Sequence, residues 1–206
     1  MNILNILNQI SVFHSLSSKE LELLSDVSNL VNYKEGDTLF MQGDISKNVL
    51  ILIDGIVSIY KHNSKGDEIV IGYFHRYAFL AEAAILKHIP LPSTARFHSD
   101  GSVLQIPLGK FEGFLKEYPQ LSYEVILSLL DKVDLLQQNI HFNLASNSKE
   151  KVLNFYKKSS KLAVDLKRYE IASLLGITPE TFSRITKQLL EEKKLIQQGS
   201  TLKINS

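Results

Sequence analysis

Apolar positions change their spacing twice along the chain, and these changes divide it into three parts. Residues 3–31 follow the three- and four-residue spacing of short helices. From Asn32 to about residue 107, short apolar runs alternate with glycine-containing turns, as in the strands of a small sandwich or barrel. A helical turn at 81–86 interrupts these strands, and helical spacing returns with a short helix at 109–118 and a long helix from Pro119. The pattern therefore predicts an α+β protein.

A long helix is predicted from Pro119 to about Leu144. Its apolar residues repeat at the spacing of a coiled-coil seam. The seam consists of Ile126, Leu129, Val133, Leu136 and Ile140. Such a seam can pack against the chain's own β-rich part or against the same helix of a second copy. Because the helix stands between two predicted domains, we favour a homodimer.

Residues 168–190 predict two short helices joined at Gly176. Gly176 suits a tight turn because glycine adopts positive φ at little cost. Thr178 followed by Pro179 is a helix start, since a hydroxyl caps the first turn and proline loses no needed donor there. The apolar stripes of the two helices are Ile171, Ala172 and Leu175, then Phe182, Ile185 and Leu189. Residues 195–204 follow as two short strands about Gly199-Ser200, which predicts a wing.

The polar face of the second helix has the chemistry of DNA recognition. Arginine can bond guanine O6 and N7 together, glutamate can accept from cytosine N4, and hydroxyls can serve bases or phosphates. The candidate DNA-binding residues are Thr178, Glu180, Thr181, Ser183, Arg184 and Lys187. An ordinary helical hairpin with a solvated face would show the same spacing. Ala172, Gly176 and Ile177 match the helix-turn-helix pattern and favour DNA binding.

Charge is distributed unevenly although the whole chain carries only +1. Residues 148–206 hold 12 Lys and Arg against 6 Asp and Glu, a net charge of +6, while the remainder carries −5. This asymmetry favours contact between the C-terminal third and a polyanion.

Composition and motifs exclude several classes of protein. The chain has no cysteine, which rules out disulfides, cysteine-ligated iron–sulfur clusters, thiolate zinc sites and cysteine nucleophiles. No GxSxG, P-loop or HExxH motif occurs and the histidines are widely spaced, so neither a catalytic residue nor a metal ligand is nominated and a β-barrel metalloenzyme is disfavoured. The first ten residues lack a positive n-region, and the apolar run at 49–53 is only strand-sized. We expect a cytoplasmic protein without membrane contact.

With its glycine-punctuated strands, long helix and C-terminal helical pair, the chain resembles the cyclic-AMP receptor protein/FNR (CRP/FNR) superfamily of bacterial transcription regulators, from about Leu7 to Ile204. The most specific match is TPETFSR at 178–184, which is similar to the E-x-x-S-R recognition helix of the FNR-like branch. The resemblance implies a double-stranded β-helix of the cyclic-nucleotide-binding type, a jelly roll, in residues 1–117. It further implies a dimerisation helix in 118–146 and a winged helix-turn-helix in 147–206.

The resemblance also implies a partner and an operator. Glu180, Ser183 and Arg184 would read bases, and Thr178 and Thr181 would lie nearer phosphate. The implied target is double-stranded DNA with palindromic TTGA-type half-sites, bound by a homodimer that also meets RNA polymerase. Pro179 stands where the cyclic-AMP receptor has a guanine-reading arginine, which argues against that receptor's own operator.

The nucleotide cassette of the family is only partly retained. Glu82 keeps the ribose-binding carboxylate, but Ala81 replaces a glycine and Ser93 replaces the phosphate-binding arginine. Arg96 lies in strand phase with Thr94 and could compensate for the missing phosphate-binding arginine, although a surface role suits it better. Charged hydrogen bonds contribute roughly 1.5–3 kcal/mol each, so cyclic AMP is not the expected effector. The candidate effector-pocket residues are Tyr77, Phe79, Ala81, Glu82, Ser93 and Thr94.

The rest of the expected pocket is apolar and aromatic, which suits an apolar ligand or a haem. Its residues are Tyr73, Phe74, Tyr77, Phe79, Leu80 and Ile85. Haem-using members of the superfamily exist, and the possible axial ligands here are His14, His62, His75, His88, His98 and His141. No motif selects one of these histidines. A regulator that binds DNA constitutively and keeps a vestigial pocket remains the alternative.

Overall fold

A computed structural model describes residues 2–63, 66, 68–159, 166–198 and 201–205. Its internal contacts divide the chain into two units, Met1–Val133 and Asp134–Ser206. Among the described residues, no helix combines the length and the apolar character that a bilayer crossing requires.

The first unit begins with short helical elements, of which the two α-helices start at polar caps. These elements are α1 (Ile3–Leu7), a 3-10 turn (Ser11–Phe13) and α2 (Ser18–Val27). Ser17 caps α2 reciprocally: its hydroxyl accepts from the Glu20 N–H, and the Glu20 carboxylate accepts from the Ser17 N–H at 2.6 Å. Phe13 and Leu24 point inward and are fully buried, so these helices join the core of the first unit.

Eight antiparallel strands form two four-stranded sheets, ordered β1-β8-β3-β6 and β2-β7-β4-β5. The strands are β1 (Asn29–Tyr33), β2 (Thr38–Phe40), β3 (Asn48–Asp54), β4 (Val57–His62), β5 (Glu68–Phe74), β6 (Phe79–Leu80), β7 (Thr94–Phe97) and β8 (Gly101–Pro107). The helical prediction for 3–31 is wrong at its end, because β1 already begins at Asn29. Pairing of β1 with β8 overrides the local spacing there.

The centre of the roll explains the unbroken apolar run at 49–53. All five residues of this run, in β3, are buried in one cluster with residues of both sheets. Helices α3 (Glu82–Leu86) and α4 (Leu108–Glu117) also contact β3. A strand covered on both faces has no need of alternation, which is why periodicity alone does not assign it.

Helix α5 (Pro119–Ala145) confirms the predicted long helix and has two different faces in the first unit. Leu121 and Val125 are buried against the core of the roll, whereas Ile126 and Val133 are exposed. Leu129 is partly buried against the same core instead of lying on the exposed stripe. At about 100° per residue it lies roughly 60° from Ile126, at the border of the two faces.

The exposed stripe of α5 therefore differs from the predicted seam. Within the first unit it consists of Tyr123, Ile126, Leu127, Leu130 and Val133. In the second unit Leu136 is also exposed, while the side chain of Ile140 lies outside the described part of the structure.

The second unit contains three further helices and a hairpin. They are α6 (Ser148–Ser159), α7 (Arg168–Leu174), α8 (Pro179–Glu191), β9 (Leu195–Gln198) and β10 (Thr201–Ile204). Asn147 caps the start of α6, since its side chain accepts from the N–H groups of Lys149 and Glu150. The turn predicted at Gly199-Ser200 lies outside the described residues.

The turn after β3 and the start of β8 approach each other so closely that only glycine fits. Gly55 has φ +88°, and a Cβ there would lie 2.7 Å from the Asp100 carbonyl oxygen. A Cβ on Gly101 would collide with the Asp54 carbonyl oxygen and would lie 2.8 Å from the Phe97 ring. Backbone atoms cannot yield here as the end of a side chain would, so these glycines are required by packing.

We expect Gly101→Ala to lower the free energy of unfolding by about 2–3 kcal/mol, because the new methyl group displaces backbone. Gly113→Ala is the matched control, since a Cβ on this residue of α4 meets nothing within 4 Å. That change should raise stability by about 0.5–1 kcal/mol. Urea unfolding of both variants measures the difference. Equal effects at the two glycines would contradict the close approach.

Candidate functional site

A tight turn joins α7 to α8. Gly176 has φ +63°, and the Ile177 N–H donates to the Ala172 carbonyl at 3.0 Å across the turn. At the other end of α7, the Glu170 carboxylate accepts from the Lys167 N–H at 2.6 Å. The glycine conformation predicted from the sequence is therefore present, and the two helices follow one another with only a short turn between them.

The start of α8 is fixed by its first two residues. The Thr178 hydroxyl accepts from the Thr181 N–H at 3.2 Å, and Pro179 occupies the first helical position. Both features satisfy or remove donors that the first turn leaves without helical partners. The backbone of this turn is consequently held in one conformation.

Burial separates the two faces of α8. Phe182, Ile185 and Leu189 are buried in the core of the second unit, as the apolar spacing predicts. Thr186 is buried as well, and its hydroxyl donates within the helix to the carbonyls of Phe182 and Ser183. The apolar anchor holds the remaining side chains of α8 toward the outside.

The outer face of α8 brings most of the candidate DNA-binding residues together. A shallow open concavity is lined by Pro179, Glu180, Ser183, Arg184 and Lys187. Among the described residues, neither Arg184 nor Lys187 has an ion-pair partner, so both cations remain available to a ligand. Thr178 and Thr181 lie at the start of the helix, where their hydroxyls contact each other at 3.1 Å.

Glu180 is held in its charged form. Its own backbone N–H and the Thr178 hydroxyl bond the carboxylate and lower its pKa below the ordinary 4.5. The carboxylate is therefore ionised throughout the neutral range and can act only as an acceptor. An exposed acceptor next to two cations can distinguish base edges that differ in their amino groups.

The C-terminal end of α8 is tied to its neighbours by Glu192. The Lys149 ammonium bonds this carboxylate most strongly, Lys194 lies 3.0 Å away, and Gln188 donates at 3.0 Å. These donors lower the pKa of Glu192 to about 2. Because the folded pKa is depressed, the stabilising contribution is complete above about pH 4.5 and is lost as the pH falls toward 2.

In the first unit, Glu82, whose carboxylate is expected to bind an effector hydroxyl, and its neighbour Ala81 lie at the junction of β6 and α3. Ala81 has φ +54°, a left-handed conformation that alanine adopts at a cost of roughly 1–2 kcal/mol. Glu82 begins α3, is buried, and forms an ion pair with Lys132 of α5. The Lys132 ammonium also donates to the Phe79 carbonyl at 3.0 Å.

The predicted phosphate side of the cassette is buried. Ser93 and Thr94 are inaccessible, and the Thr94 hydroxyl accepts from the Gln42 N–H at 3.1 Å. The Arg96 guanidinium lies 2.8 Å from Glu68 and 2.6 Å from the Tyr60 hydroxyl. Its role is therefore a structural bond between β7 and the β4–β5 hairpin, as its surface position suggested.

The expected apolar pocket residues do not share one surface. Phe79, Leu80 and Ile85 are buried in the core, where the Phe79 ring lies 6.3 Å from that of Phe13. The Tyr77 hydroxyl bonds the Gln9 side chain, and Phe74 packs partly against the core. Tyr73 contacts the ring of His98 edge-on at 5.2 Å.

The histidines show no arrangement typical of metal binding among the described residues. His88 pairs with Glu112 at 2.7 Å, and His98 bonds Ser58 at 2.9 Å. The Nε2 atom of His75 is buried without a hydrogen-bond partner in the described part of the chain. His141 lies where side chains are not described. Phe79, Leu80 and Ile85 of the proposed haem pocket are occupied in core packing, so these residues are not free to line a haem site.

Sequence reasoning missed Lys132. A signal was present, because this lysine follows Val125 by seven residues on the face of α5 that Leu121 and Val125 bury. A charged residue on an apolar face predicts a buried partner of opposite charge. The position of that partner in α3 required the fold.

Comparison with known proteins agrees with this architecture. A model of the cyclic nucleotide-binding domain matches residues 30–118, and a model of the Crp-like helix-turn-helix domain matches residues 142–206. The fumarate and nitrate reduction regulatory protein of Yersinia pestis is 23% identical and is matched over 97% of this chain and 84% of the relative.

Solved structures show the same fold at low sequence identity. A regulator of the crp/fnr family from Eubacterium rectale has a TM-score of 0.78 at 16% identity, covering 97% of this chain and 95% of that one. The c-di-GMP responsive global regulator CLP of Xanthomonas campestris has a TM-score of 0.76 at 18% identity, covering 92% and 100%. With a roll of the cyclic nucleotide-binding type followed by a Crp-like helix-turn-helix, the chain belongs to the CRP/FNR superfamily of transcription regulators.

Proposed function

We propose that this regulator acts in the cytoplasm as a homodimer that reads a palindromic DNA site with α8. The observation that carries the proposal is the division of α8 into a buried apolar face and an exposed polar face. An apolar face anchors the helix, and an acceptor and two available cations share its outer concavity. This is the arrangement that a helix needs to enter a major groove.

The side chains of the outer face divide by their chemistry. Arg184 suits a bidentate contact with guanine, and Glu180 suits an acceptor contact with cytosine N4. Ser183 lies between them on the same concavity. Lys187 and the threonines at the start of α8 suit phosphate contacts, which orient the protein without reading sequence. These roles fit half-sites of the TTGA type.

The exposed stripe of α5 supports the dimer. Five large apolar side chains on one face of a helix leave an apolar surface that a second copy of the same helix can cover. Two copies related by a two-fold axis would present two reading helices to a palindrome. RNA polymerase would be the further partner of a regulator bound to its operator.

The structure favours a ligand-independent regulator over a haem or apolar-ligand sensor as the effector hypothesis. Phe79, Leu80 and Ile85 of the proposed apolar pocket pack in the core, and the Thr94 hydroxyl and the Glu82 carboxylate of the cassette are bonded from within the chain. Arg96, the cation nearest to Ser93 in sequence, is bonded to Glu68 and is therefore not free to meet the phosphate of cyclic AMP.

Arg184→Ala should lose discrimination at one base pair of each half-site by about 1–3 kcal/mol, because a bidentate contact to a base is removed. Fluorescence anisotropy with a labelled TTGA-type palindrome and single-base variants, at fixed salt, measures this. Lys187→Ala is the matched control from the same concavity. It should weaken all duplexes equally and reduce the salt slope by about 1, because it removes a single phosphate contact. Unchanged base preference in Arg184→Ala would exclude α8 as the reading helix.

Glu180→Gln should relax the preference at a cytosine position by about 1–3 kcal/mol, since an amide can also donate. The low pKa of Glu180 means that the wild-type preference stays constant between about pH 5.5 and 8. Competition binding at several pH values tests both statements. A preference that decays as the pH falls from about 8 to about 6 would assign the contact to another group.

Val133→Asp should dissociate the dimer and thereby lower DNA affinity, because it places a charge in the stripe of α5. Leu23→Asp is the control, as Leu23 is a helical residue of the same exposure, 47% against 46%. Sedimentation velocity of both variants gives their association states. If both remain dimeric, or both dissociate, the stripe is not the specific interface.

A further inference from the structure

A buried carboxylate in the first unit is paired with a lysine of the same chain. The Glu82 side chain is 11% exposed, and its Oε1 atom forms an ion pair with the Lys132 ammonium. A buried carboxylate without a partner is strongly unfavourable, so this lysine supports the local fold around Glu82. The family resemblance assigns this carboxylate to a ligand hydroxyl, whereas in the structure it forms an ion pair with Lys132.

Lys132 joins three elements at this point. Its ammonium donates to the Phe79 carbonyl of β6 and bonds Glu82 at the start of α3. Ala81, in its left-handed conformation, is the turn between these two acceptors. The ammonium therefore attaches α5 to both sides of the turn from β6 to α3.

The attachment also sets which face of α5 is exposed. At about 100° per residue, Lys132 lies within roughly 20° of Leu121 and Val125, on the buried face. Ile126, Leu130 and Val133 lie away from it, on the exposed stripe. Leu121 and Val125 anchor the first two turns of the helix, and the ion pair anchors the fourth turn, next to Val133. Helix α5 continues as one helix into the second unit.

We propose that the Lys132–Glu82 ion pair takes the place of a small effector, holding α5 in the DNA-binding arrangement without any ligand. This inference rests on the proposed function, since it concerns the regulation of the same DNA binding. Ligand binding in a regulator acts by favouring one of two arrangements, and an internal bond of the same strength favours that arrangement permanently. The pair directly connects the expected effector position to the long helix.

The experiment measures the affinity of the full chain, as purified, for the labelled palindrome at fixed salt. The variants are Lys132→Met, Glu82→Gln, the double variant Lys132→Met/Glu82→Gln, and the exchange Lys132→Glu/Glu82→Lys. Lys110→Met, an exposed lysine of α4, is the control for loss of positive charge. Cyclic AMP is the added probe, and thermal unfolding and sedimentation accompany each titration.

We expect wild type and Lys110→Met to bind equally and cyclic AMP to leave both unchanged. Lys132→Met should bind at least about tenfold more weakly, and the double variant should lose at least about fivefold less than the product of the single losses. The exchanged pair should recover affinity relative to Lys132→Met. If Lys132→Met does not fold, recovery of folding and of DNA affinity by the exchanged pair decides the same question.

Three results would overturn the inference: wild-type affinity in folded Lys132→Met, additive losses with no recovery by exchange, or wild-type binding that requires cyclic AMP. These results are separate from failure of the proposed function. That failure would appear as wild-type affinity in Arg184→Ala or as absence of sequence preference in the wild-type protein.

Discussion

The burial of one face of α5 against the roll is the constraint on which the other features of the first unit depend. Leu121 and Val125 lie in the core that the two sheets and the N-terminal helices share. Because a helix has only one such face, the apolar side chains opposite are necessarily left outside. Lys132 extends the buried face by an ion pair at a point where an apolar residue would meet the Glu82 carboxylate. The outer stripe is thus a consequence of how the inner face is satisfied.

Much of the fold could be predicted from local chemistry. The helix start at Thr178-Pro179 and the positive φ of Gly176 depend on neighbours within a few residues, and both were predicted from the sequence. The start of β1 could not be predicted in this way, because Asn29 pairs with Gln105 of β8, which comes much later in the sequence. The partial burial of Leu129 was not predicted either, since a border position in a helix is decided by the surface beside it.

The two candidate sites differ in how much of their chemistry is local. The reading face of α8 comes from one helix, so periodicity and side-chain type placed Glu180, Ser183, Arg184 and Lys187 together. The effector region draws on β2, β6, α3, β7 and α5 and their connecting loops, whose proximity is a property of the roll. Family resemblance identified which residues the cassette lacks, but not that Gln42 and Lys132 bond the hydroxyl and carboxylate that remain.

The capped first turn of α8 has a consequence for the thermodynamics of recognition. Thr178 and Pro179 order the backbone of this turn when the protein folds, so the entropy of that ordering belongs to folding and not to complex formation. When DNA binds, the part of α8 that still loses conformational freedom is the set of side chains on its outer face. Differences in affinity between operators then reflect the fit of a few side chains on a rigid support, and a ranking of DNA sequences should be preserved when temperature changes the overall affinity.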